Sequence, residues 1–171
     1  EDYLIGTAIS SGKHEILLAT RQGKALRFSE RQIREMGRAA RGVRGINLAK
    51  DDIVVGMQVF PSDIDKTNST LLTVTSLGFA KRSSFEDYRT QSRGGKGIIN
   101  IKVMAKNGLV VGVLAVMPED EIMSVTRLGM MVRCPVKDIR ESGRSTQGVR
   151  LISLSKDDSV TSVAHVVARE D

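Results

Sequence analysis

The stretch Ile16-Leu17-Leu18-Ala19-Thr20 recurs, with conservative changes, at two later places in this chain. The second copy reads Leu71-Leu72-Thr73-Val74-Thr75, and the third reads Ile122-Met123-Ser124-Val125-Thr126. The copies are spaced by about fifty residues, a period that is typical of propeller blades or solenoid units. The repeat therefore predicts a fold that is built from three similar units in a row.

Each copy continues with the same succession of features. A glycine stands where a tight hairpin turn requires a positive backbone dihedral angle, and an arginine follows four residues later. These residues are Gly23 and Arg27, Gly78 and Arg82, and Gly129 and Arg133. A basic loop and a turn follow, and each copy closes with an apolar run: Ile53 to Phe60, Leu109 to Val116, and Val160 to Val167.

Short apolar or alternating segments, separated by Gly, Asn and Asp, indicate antiparallel strands throughout. We expect about four strands in each copy, and in the first copy they lie near Glu15 to Thr20, Lys24 to Ser29, Arg44 to Leu48 and Ile53 to Phe60. The predicted fold class is therefore all-β and propeller-like. Closed propellers have about four to eight blades, so three blades form an open arc with unpaired sheet edges.

The domain prediction is one partial propeller-like domain over residues 1–171. Tyr3 to Ile9 matches the closing run of a copy whose earlier part is absent, so residues 1–10 are expected to be the closing strand of a preceding blade. The chain is thus expected to be a piece of a longer protein. The three blades are predicted at residues 11–61, 62–117 and 118–171.

Composition favours a polyanionic partner and a reducing compartment. The net charge is +6 and the isoelectric point is near 9.7, a balance that suits nucleic acid. Cys134 is the only cysteine, which excludes an internal disulfide and fits the cytoplasm. No apolar run reaches the roughly twenty residues of a membrane span, so no membrane partner is expected.

The sequence lacks a recognisable catalytic or metal-binding pattern. His14, His165 and Cys134 have neither the spacing of metal ligands nor that of a catalytic triad. The pairs Asp51-Asp52 and Asp157-Asp158 recur at one turn, where adjacent carboxylates shape a hairpin rather than converge on an ion. We therefore predict no catalytic residue, no metal and no cofactor in this chain.

Basic residues recur at equivalent places in the loops, next to glycines that let an anion approach the backbone amides. Aromatic residues make up only 4% of the chain, which argues against stacking on single strands and favours the phosphates of bent duplex DNA. The recurring positions are Arg38, Arg41 and Arg44, then Arg89, Arg93 and Lys96, then Arg144 and Arg150. The predicted DNA contacts are Arg38, Arg41, Arg44, Arg93, Lys96, Arg144 and Arg150, with Arg27, Lys81, Arg82 and Arg133 as weaker candidates.

The loop Gln91-Ser92-Arg93-Gly94-Gly95-Lys96-Gly97 resembles the box motif of the DNA gyrase A subunit, which is a Gln, two basic residues, two glycines, a basic residue and a glycine. Thr146 to Arg150 and Asn107 to Gly112, together with the repeat, are similar to the later blades of that subunit's C-terminal domain. The resemblance covers the whole chain. Position 92 is Ser where the box is usually basic, and a whole copy precedes the loop, so we interpret it as a box-like loop of a later blade.

The resemblance implies a six-bladed β-pinwheel whose blades exchange strands and whose basic rim is wrapped by duplex DNA. In gyrase this wrapping lets ATP-driven strand passage introduce negative supercoils. The implied partners are duplex DNA, the B subunit of gyrase and the rest of its A subunit, in an A2B2 holoenzyme that uses ATP and Mg²⁺. The implied location is the bacterial cytoplasm, at the nucleoid. The cleavage tyrosine and the ATPase lie outside this chain, so neither Tyr3 nor Tyr88 is assigned a catalytic role.

Three alternatives follow from the same residues. The C-terminal domain of the topoisomerase IV A subunit is similar but has fewer blades and degenerate boxes, and it sets a preference for DNA geometry. A protein-recognition propeller would use the glycines and arginines only to shape its loops. A metabolic enzyme is the third alternative, and the absence of convergent titratable groups in the sequence disfavours it.

Overall fold

The computed structural model describes residues 3–64 and 67–166. The remainder of the predicted ranges, including Val167 and Asp171, lies outside the described residues. The strands are β1 (His14–Thr20), β2 (Lys24–Ser29), β3 (Val54–Pro61), β4 (Thr70–Thr75), β5 (Phe79–Ser84), β6 (Ile98–Ile99), β7 (Val110–Val116), β8 (Glu121–Thr126), β9 (Met131–Pro135), β10 (Val149–Arg150) and β11 (Val160–Val166). The all-β prediction is confirmed.

The strands form three antiparallel sheets, and each sheet is one blade of the arc. The first blade has the strand order β3-β1-β2-β6, the second has β7-β4-β5-β10, and the third has β11-β8-β9. β6 belongs to the second sequence repeat and β10 to the third, yet each pairs with the blade before it. Successive blades are therefore joined by strand exchange, as the resemblance implied.

Strand exchange explains one difference from the sequence prediction. Arg44 to Leu48 are all described and form no strand, although in the next two repeats the counterparts of Val43 and Arg44 form the short strands β6 and β10. Those two strands form because a preceding blade offers its second strand as a partner, and no described strand does this for Arg44 to Leu48. Tyr3 to Ile9, which matches a closing strand in sequence, is likewise exposed and has no assigned strand.

The turns are built as the sequence predicts. Gly23, Gly78 and Gly129 adopt φ values of +82°, +77° and +88° at the hairpin ends. At the later turn Asp52 accepts hydrogen bonds through Oδ1 from the amides of Gln22 and Ile53, both at 2.9 Å. Asp158 does the same at its own hairpin. The recurring carboxylates thus fix the turn, as predicted.

Two of the three apolar clusters among the described residues lie between blades, and the third, around Leu26 and Phe28, lies within the first blade. One cluster contains Leu17 and Phe60 of the first blade together with Leu71 and Phe85 of the second, and a second cluster joins the second and third blades. β3, β7 and β11 pack side by side. Gly56 permits this approach, because a Cβ there would lie 2.9 Å from the Val113 side chain.

A buried arginine ties each junction between blades. Arg27 is 3% exposed and donates from Nη1 to the carbonyl oxygens of Phe85 at 3.0 Å and Tyr88 at 3.4 Å, while its Nε pairs with Glu15. Arg82 occupies the same place in the second blade and donates from Nε to the Ile139 carbonyl at 2.8 Å. In both cases the acceptors belong to the short 3₁₀ turn of the next repeat. The two arginines therefore connect neighbouring blades by hydrogen bonds.

Replacing Arg27 with glutamine should lower the free energy of unfolding by about 3–5 kcal/mol, because Glu15 would keep a largely buried carboxylate without its cation. The matched control is Arg133→Gln. Arg133 holds the same position in the third blade but pairs with Glu121 at the surface, so its loss should cost less than about 1 kcal/mol. Denaturant unfolding measures both values, and equal losses in the two variants would contradict the role of Arg27 at the junction.

Candidate nucleic-acid interface

The register of the second and third basic loops is fixed by the left-handed glycine that directly precedes the exchanged strand, β6 or β10, and Gly42 is its counterpart in the first loop. Gly42, Gly97 and Gly148 have φ values of +78°, +70° and +78°. At Gly97 and Gly148 a Cβ would lie 2.6 Å and 2.8 Å from a carbonyl oxygen of the preceding blade. Only glycine fits such a position, on both backbone and steric grounds.

This register revises the equivalence that the sequence predicts. Counting from the glycines, the first basic position is held by Arg38, Arg93 and Arg144. The second is held by Arg41, Lys96 and Gln147, and the third by Arg44, Ile99 and Arg150. The sequence prediction had paired Arg41 with Arg93, which is wrong. The counterpart of Arg41 is Lys96, and the counterpart of Arg93 is Arg38.

Backbone hydrogen bonds join the successive loops into one continuous ridge. The amide of Gly94 donates to the Gly45 carbonyl at 2.7 Å, and the amide of Asn47 donates to the Gly95 carbonyl at 2.9 Å. The next junction repeats the pattern, with Lys102 N donating to Thr146 O at 2.8 Å. We call this ridge the rim, and it comprises residues 38–47, 91–102 and 142–150.

Arg93 and Arg144 bridge adjacent loops of the rim. Arg93 donates from Nη1 to the Arg44 carbonyl at 2.5 Å and from Nε to the Gln32 carbonyl at 3.1 Å. Arg144 donates from Nη1 to the Ile99 carbonyl at 3.0 Å, which is the equivalent bond one repeat later. Each guanidinium has five N–H donors, so both arginines can hold the rim together and still present positive charge.

The other strong candidates are exposed on the rim. They are Arg38, Arg41, Arg44, Lys96 and Arg150. The Arg150 guanidinium lies over the Phe79 ring, 5.5 Å from its centroid, an arrangement that orients a cation without neutralising it. These five side chains, with Arg93 and Arg144 between them, place a row of positive charge along the rim.

The weaker candidates lie elsewhere. Arg27, Lys81 and Arg82 are buried, and all three bond to carbonyl oxygens of the following repeat. Arg133 is exposed but pairs with Glu121. These four residues serve contacts within the protein, so the candidate surface does not include them.

Gln32 is a part of the rim's support that the sequence did not indicate. Its Oε1 accepts a bond from the Arg93 amide at 2.7 Å, and its Nε2 donates to the Gln91 carbonyl at 3.1 Å. Gln32 thereby holds the box-like loop of the next repeat through two hydrogen bonds. The partners are about sixty residues apart in sequence, and a lone glutamine after a strand carries no signal for a contact of that range.

The described residues contain no group of three or more His, Cys, Asp or Glu side chains that could hold a metal ion. His165 and His14 instead form isolated pairs with Asp120 and Glu30. No helix in the described part of the chain has the length and apolar character that a membrane span needs.

Comparison with known proteins assigns the family. The family model of the DNA gyrase C-terminal domain, a β-propeller, matches residues 14–61, 69–117 and 120–166, one segment for each repeat. The chain belongs to the DNA gyrase C-terminal domain family.

Among the curated relatives, the DNA gyrase A subunit of Salmonella typhimurium is 43% identical over 170 residues, which cover 99% of this chain and 19% of the relative. The DNA gyrase A subunit of Staphylococcus aureus is 42% identical over 168 residues, covering 97% and 18%. The chain thus spans about a fifth of the length of these gyrase subunits.

Two solved structures share the fold of this gyrase-family chain. A DNA gyrase A C-terminal domain superposes with a TM-score of 0.81 at 26% identity, covering 91% of this chain and 51% of that one. The C-terminal domain of a DNA topoisomerase IV superposes with a TM-score of 0.82, also at 26% identity, covering 91% and 47%. Backbone shape therefore does not separate the two kinds of domain, whereas sequence identity places this chain close to gyrase subunits.

Substituting Gly97 with alanine should destabilise the protein by about 1–3 kcal/mol, because a side chain is strained at positive φ and would meet the Ala25 carbonyl. Gly37→Ala is the control, since a Cβ at Gly37 meets nothing within 4 Å. Thermal unfolding reports both variants. A control variant that is as unstable as Gly97→Ala would show that the glycine register is not the constraint.

Proposed function

We propose that this chain is a non-catalytic domain that binds and wraps duplex DNA as part of a DNA gyrase A subunit. The observation that carries the proposal is the row of exposed cations on hydrogen-bonded loops. Arginine and lysine supply charge to phosphates, and the adjacent glycines open the backbone amides to an anion. Contacts of this kind bind the DNA backbone without reading its sequence.

The placement of the aromatic residues supports a duplex rather than a single strand. Phe28, Phe60, Phe85 and Tyr88 are at most 3% exposed, and the Phe79 ring is covered by Arg150. Single-strand binding depends on exposed rings on which bases stack. Tyr3 is exposed but lies outside the rim, which contains no aromatic residue. A rim of cations without rings instead suits the regular phosphate spacing of a bent duplex.

For the longer protein we propose an ATP-dependent type II topoisomerase whose catalytic residues lie outside this chain. In that assembly the domain wraps DNA so that strand passage introduces negative supercoils. The proposed partners are the gyrase B subunit, together with the rest of the A subunit, in an A2B2 holoenzyme that binds ATP and Mg²⁺ elsewhere. The proposed location is the bacterial cytoplasm, at the nucleoid. The 43% identity to a gyrase A subunit supports this assignment.

The second candidate is a topoisomerase IV domain that sets a preference for DNA geometry. It stays a candidate because the backbone superposes on such a domain with a TM-score of 0.82, as well as it does on the gyrase domain. Both candidates act on duplex DNA, and they differ in role: the gyrase domain wraps DNA for supercoiling, whereas the topoisomerase IV domain sets a preference for DNA geometry.

Four rim cations should account for a large part of the salt dependence of DNA binding. Changing Arg41, Arg44, Lys96 and Arg150 together to glutamine should reduce the slope of log affinity against log salt by roughly 0.9 for each phosphate contact that is lost. The measurement is the affinity for a labelled duplex of about forty base pairs across a salt series. A length of this order exceeds one protein module's footprint.

The matched control changes four basic residues that lie outside the rim, namely Lys13, Lys106, Arg133 and Lys137, to glutamine. This control removes the same net charge as the rim variant. It should lower the affinity for DNA slightly and leave most of the slope of log affinity against log salt. Identical slopes in the two variants would mean that net charge, rather than the rim, binds DNA. Tight binding that is indifferent to salt would favour the protein-recognition propeller instead.

Wrapping, as distinct from binding, should constrain the path of closed circular DNA. A nicked plasmid that is sealed in the presence of the chain should give a topoisomer distribution displaced in one direction, and the four-fold rim variant should not displace it. Gel separation of the deproteinised topoisomers measures the displacement. Binding without any displacement would favour the topoisomerase IV type of role.

A further inference from the structure

The second blade contains a buried polar cluster that has no counterpart in the described parts of the other two blades. Its members are Thr73, Lys81, Ser83, Tyr88 and Asn100, each at most 1% exposed. The equivalent positions are mostly apolar: Leu18, Leu26, Phe28, Ile33 and Gly45 in the first repeat, and Ser124, Val132, Cys134, Ile139 and Leu151 in the third. A buried lysine at a site where its counterparts are Leu and Val requires a specific compensation.

Lys81 is compensated by the third loop of the rim. Its Nζ donates to the carbonyl oxygens of Gly143 at 3.0 Å and Arg144 at 2.7 Å, and to Ser83 Oγ at 2.9 Å. Ser83 Oγ in turn donates to the Ser142 carbonyl at 2.8 Å. Three consecutive carbonyl groups of the loop are therefore held by one ammonium group and the hydroxyl beside it.

The first blade handles the same junction without an ion. Leu26, the counterpart of Lys81, approaches Gly95 of the second loop through its Cδ1 atom, which is an apolar contact without direction. Hydrogen bonds from an ammonium group are stronger and fix the acceptor atoms. At this position the third loop is held by directed bonds and the second loop by packing, and the directed bonds of the second loop come from Gln32 instead.

We propose that Lys81 is a positioning residue of the DNA-binding rim. It holds the Ser142-Gly143-Arg144 backbone so that the Arg144 guanidinium reaches the Ile99 carbonyl and links the second and third loops. This inference rests on the proposed function, because the rim matters only if it binds DNA. The role of Lys81 in ordering the loop can nevertheless be measured without DNA.

The surroundings of Lys81 make this positioning sensitive to protons. Burial lowers the pKa of Lys81 from 10.5 to about 7, Asp87 raises it, and the Arg144 guanidinium lowers it. The nearby Tyr88 phenol stays neutral, since burial raises its pKa. Below about pH 7 the Lys81 ammonium has three N–H donors for its three acceptors. Above that pH the neutral amine has only two N–H donors, so one acceptor loses its hydrogen bond. The third loop should therefore loosen as the pH rises through 7.

Global stability should change in the opposite direction. The pKa of Lys81 is lower in the folded chain than in the unfolded one, so between about pH 7 and pH 10 the unfolded state binds more protons and stability rises with pH. A loop that loosens while the protein as a whole becomes more stable is a signature that ordinary destabilisation does not produce.

The test compares Lys81→Met, which resembles the apolar counterparts, with Lys106→Met, which removes an exposed lysine outside the polar cluster. Amide hydrogen exchange of residues 142–146 should be about tenfold faster in Lys81→Met at pH 6, as expected when bonds to a charged group are lost. Exchange of residues 93–97 should not change. Unchanged exchange at 142–146 in a folded Lys81→Met protein would overturn the proposal.

The affinity for a duplex provides the second readout. In the parent chain the affinity for the duplex should fall about fivefold between about pH 6 and pH 8.5, because Lys81 loses its proton. In Lys81→Met the affinity should be weaker and should not show this fall with pH. Retention of the step in Lys81→Met would overturn the proposal. If the parent chain bound no duplex at any salt concentration, the proposed function would fail, while the exchange result would still decide whether Lys81 orders the loop.

Ser83→Ala is a second variant for the case in which Lys81→Met does not fold. It removes the bond to the Ser142 carbonyl and one acceptor of Lys81, but it leaves the lysine and its charge in place. Exchange should then increase at residues 142–144 and remain unchanged at residues 93–97. Equal exchange in Ser83→Ala and the parent chain would count against the proposal in the same way.

Discussion

The structure depends on one steric constraint, the close approach of a loop glycine to the strand of the preceding blade. At Gly97 and Gly148 the backbone lies against the carbonyl groups of Ala25 and Ala80, closer than any side chain would permit. The two residues that follow each glycine can then pair with that strand as β6 or β10. The same approach places each basic loop at the junction between blades, which is where the rim forms.

Basic residues in this fold divide by depth into two roles. Arg27 and Arg82 project from strands into the blade junctions and donate to carbonyl groups of the next repeat. Arg41 and Lys96 stand before the loop glycines and remain in solvent. Arg93 is intermediate, since it bridges two loops and is half-buried. The positive charge that makes the chain basic is thus partly structural, and only the exposed share is available to a polyanion.

Much of the fold could be predicted from the sequence, because the repeat supplies three versions of each element. The hairpin glycines, the aspartate turns and the closing strands were all identified in this way. The strand expected at Arg44 to Leu48 was wrong because a strand needs a partner, and its sequence does not say which blade provides one. The loop equivalence was wrong because basic residues stand before two left-handed glycines, Gly94 and Gly97. Only the pairing of the residues after Gly97 with the preceding blade distinguishes the two positions. Lys81 was placed among DNA contacts because its charge is visible in the sequence, whereas its burial depends on acceptors at Ser83, Gly143 and Arg144 that only the fold brings to it.

The exchange of strands puts the sequence repeat and the structural blade out of phase. The first blade takes β1, β2 and β3 from one repeat and β6 from the next, so cutting the chain between repeats does not separate whole blades. A repeat array usually gains cooperativity only from the interfaces between neighbours, but here the first and second blades each also contain a strand of the next repeat. Loss or duplication of a single repeat would therefore disturb two blades at once. Such a domain is expected to change its number of blades in evolution only by steps that preserve every donated strand.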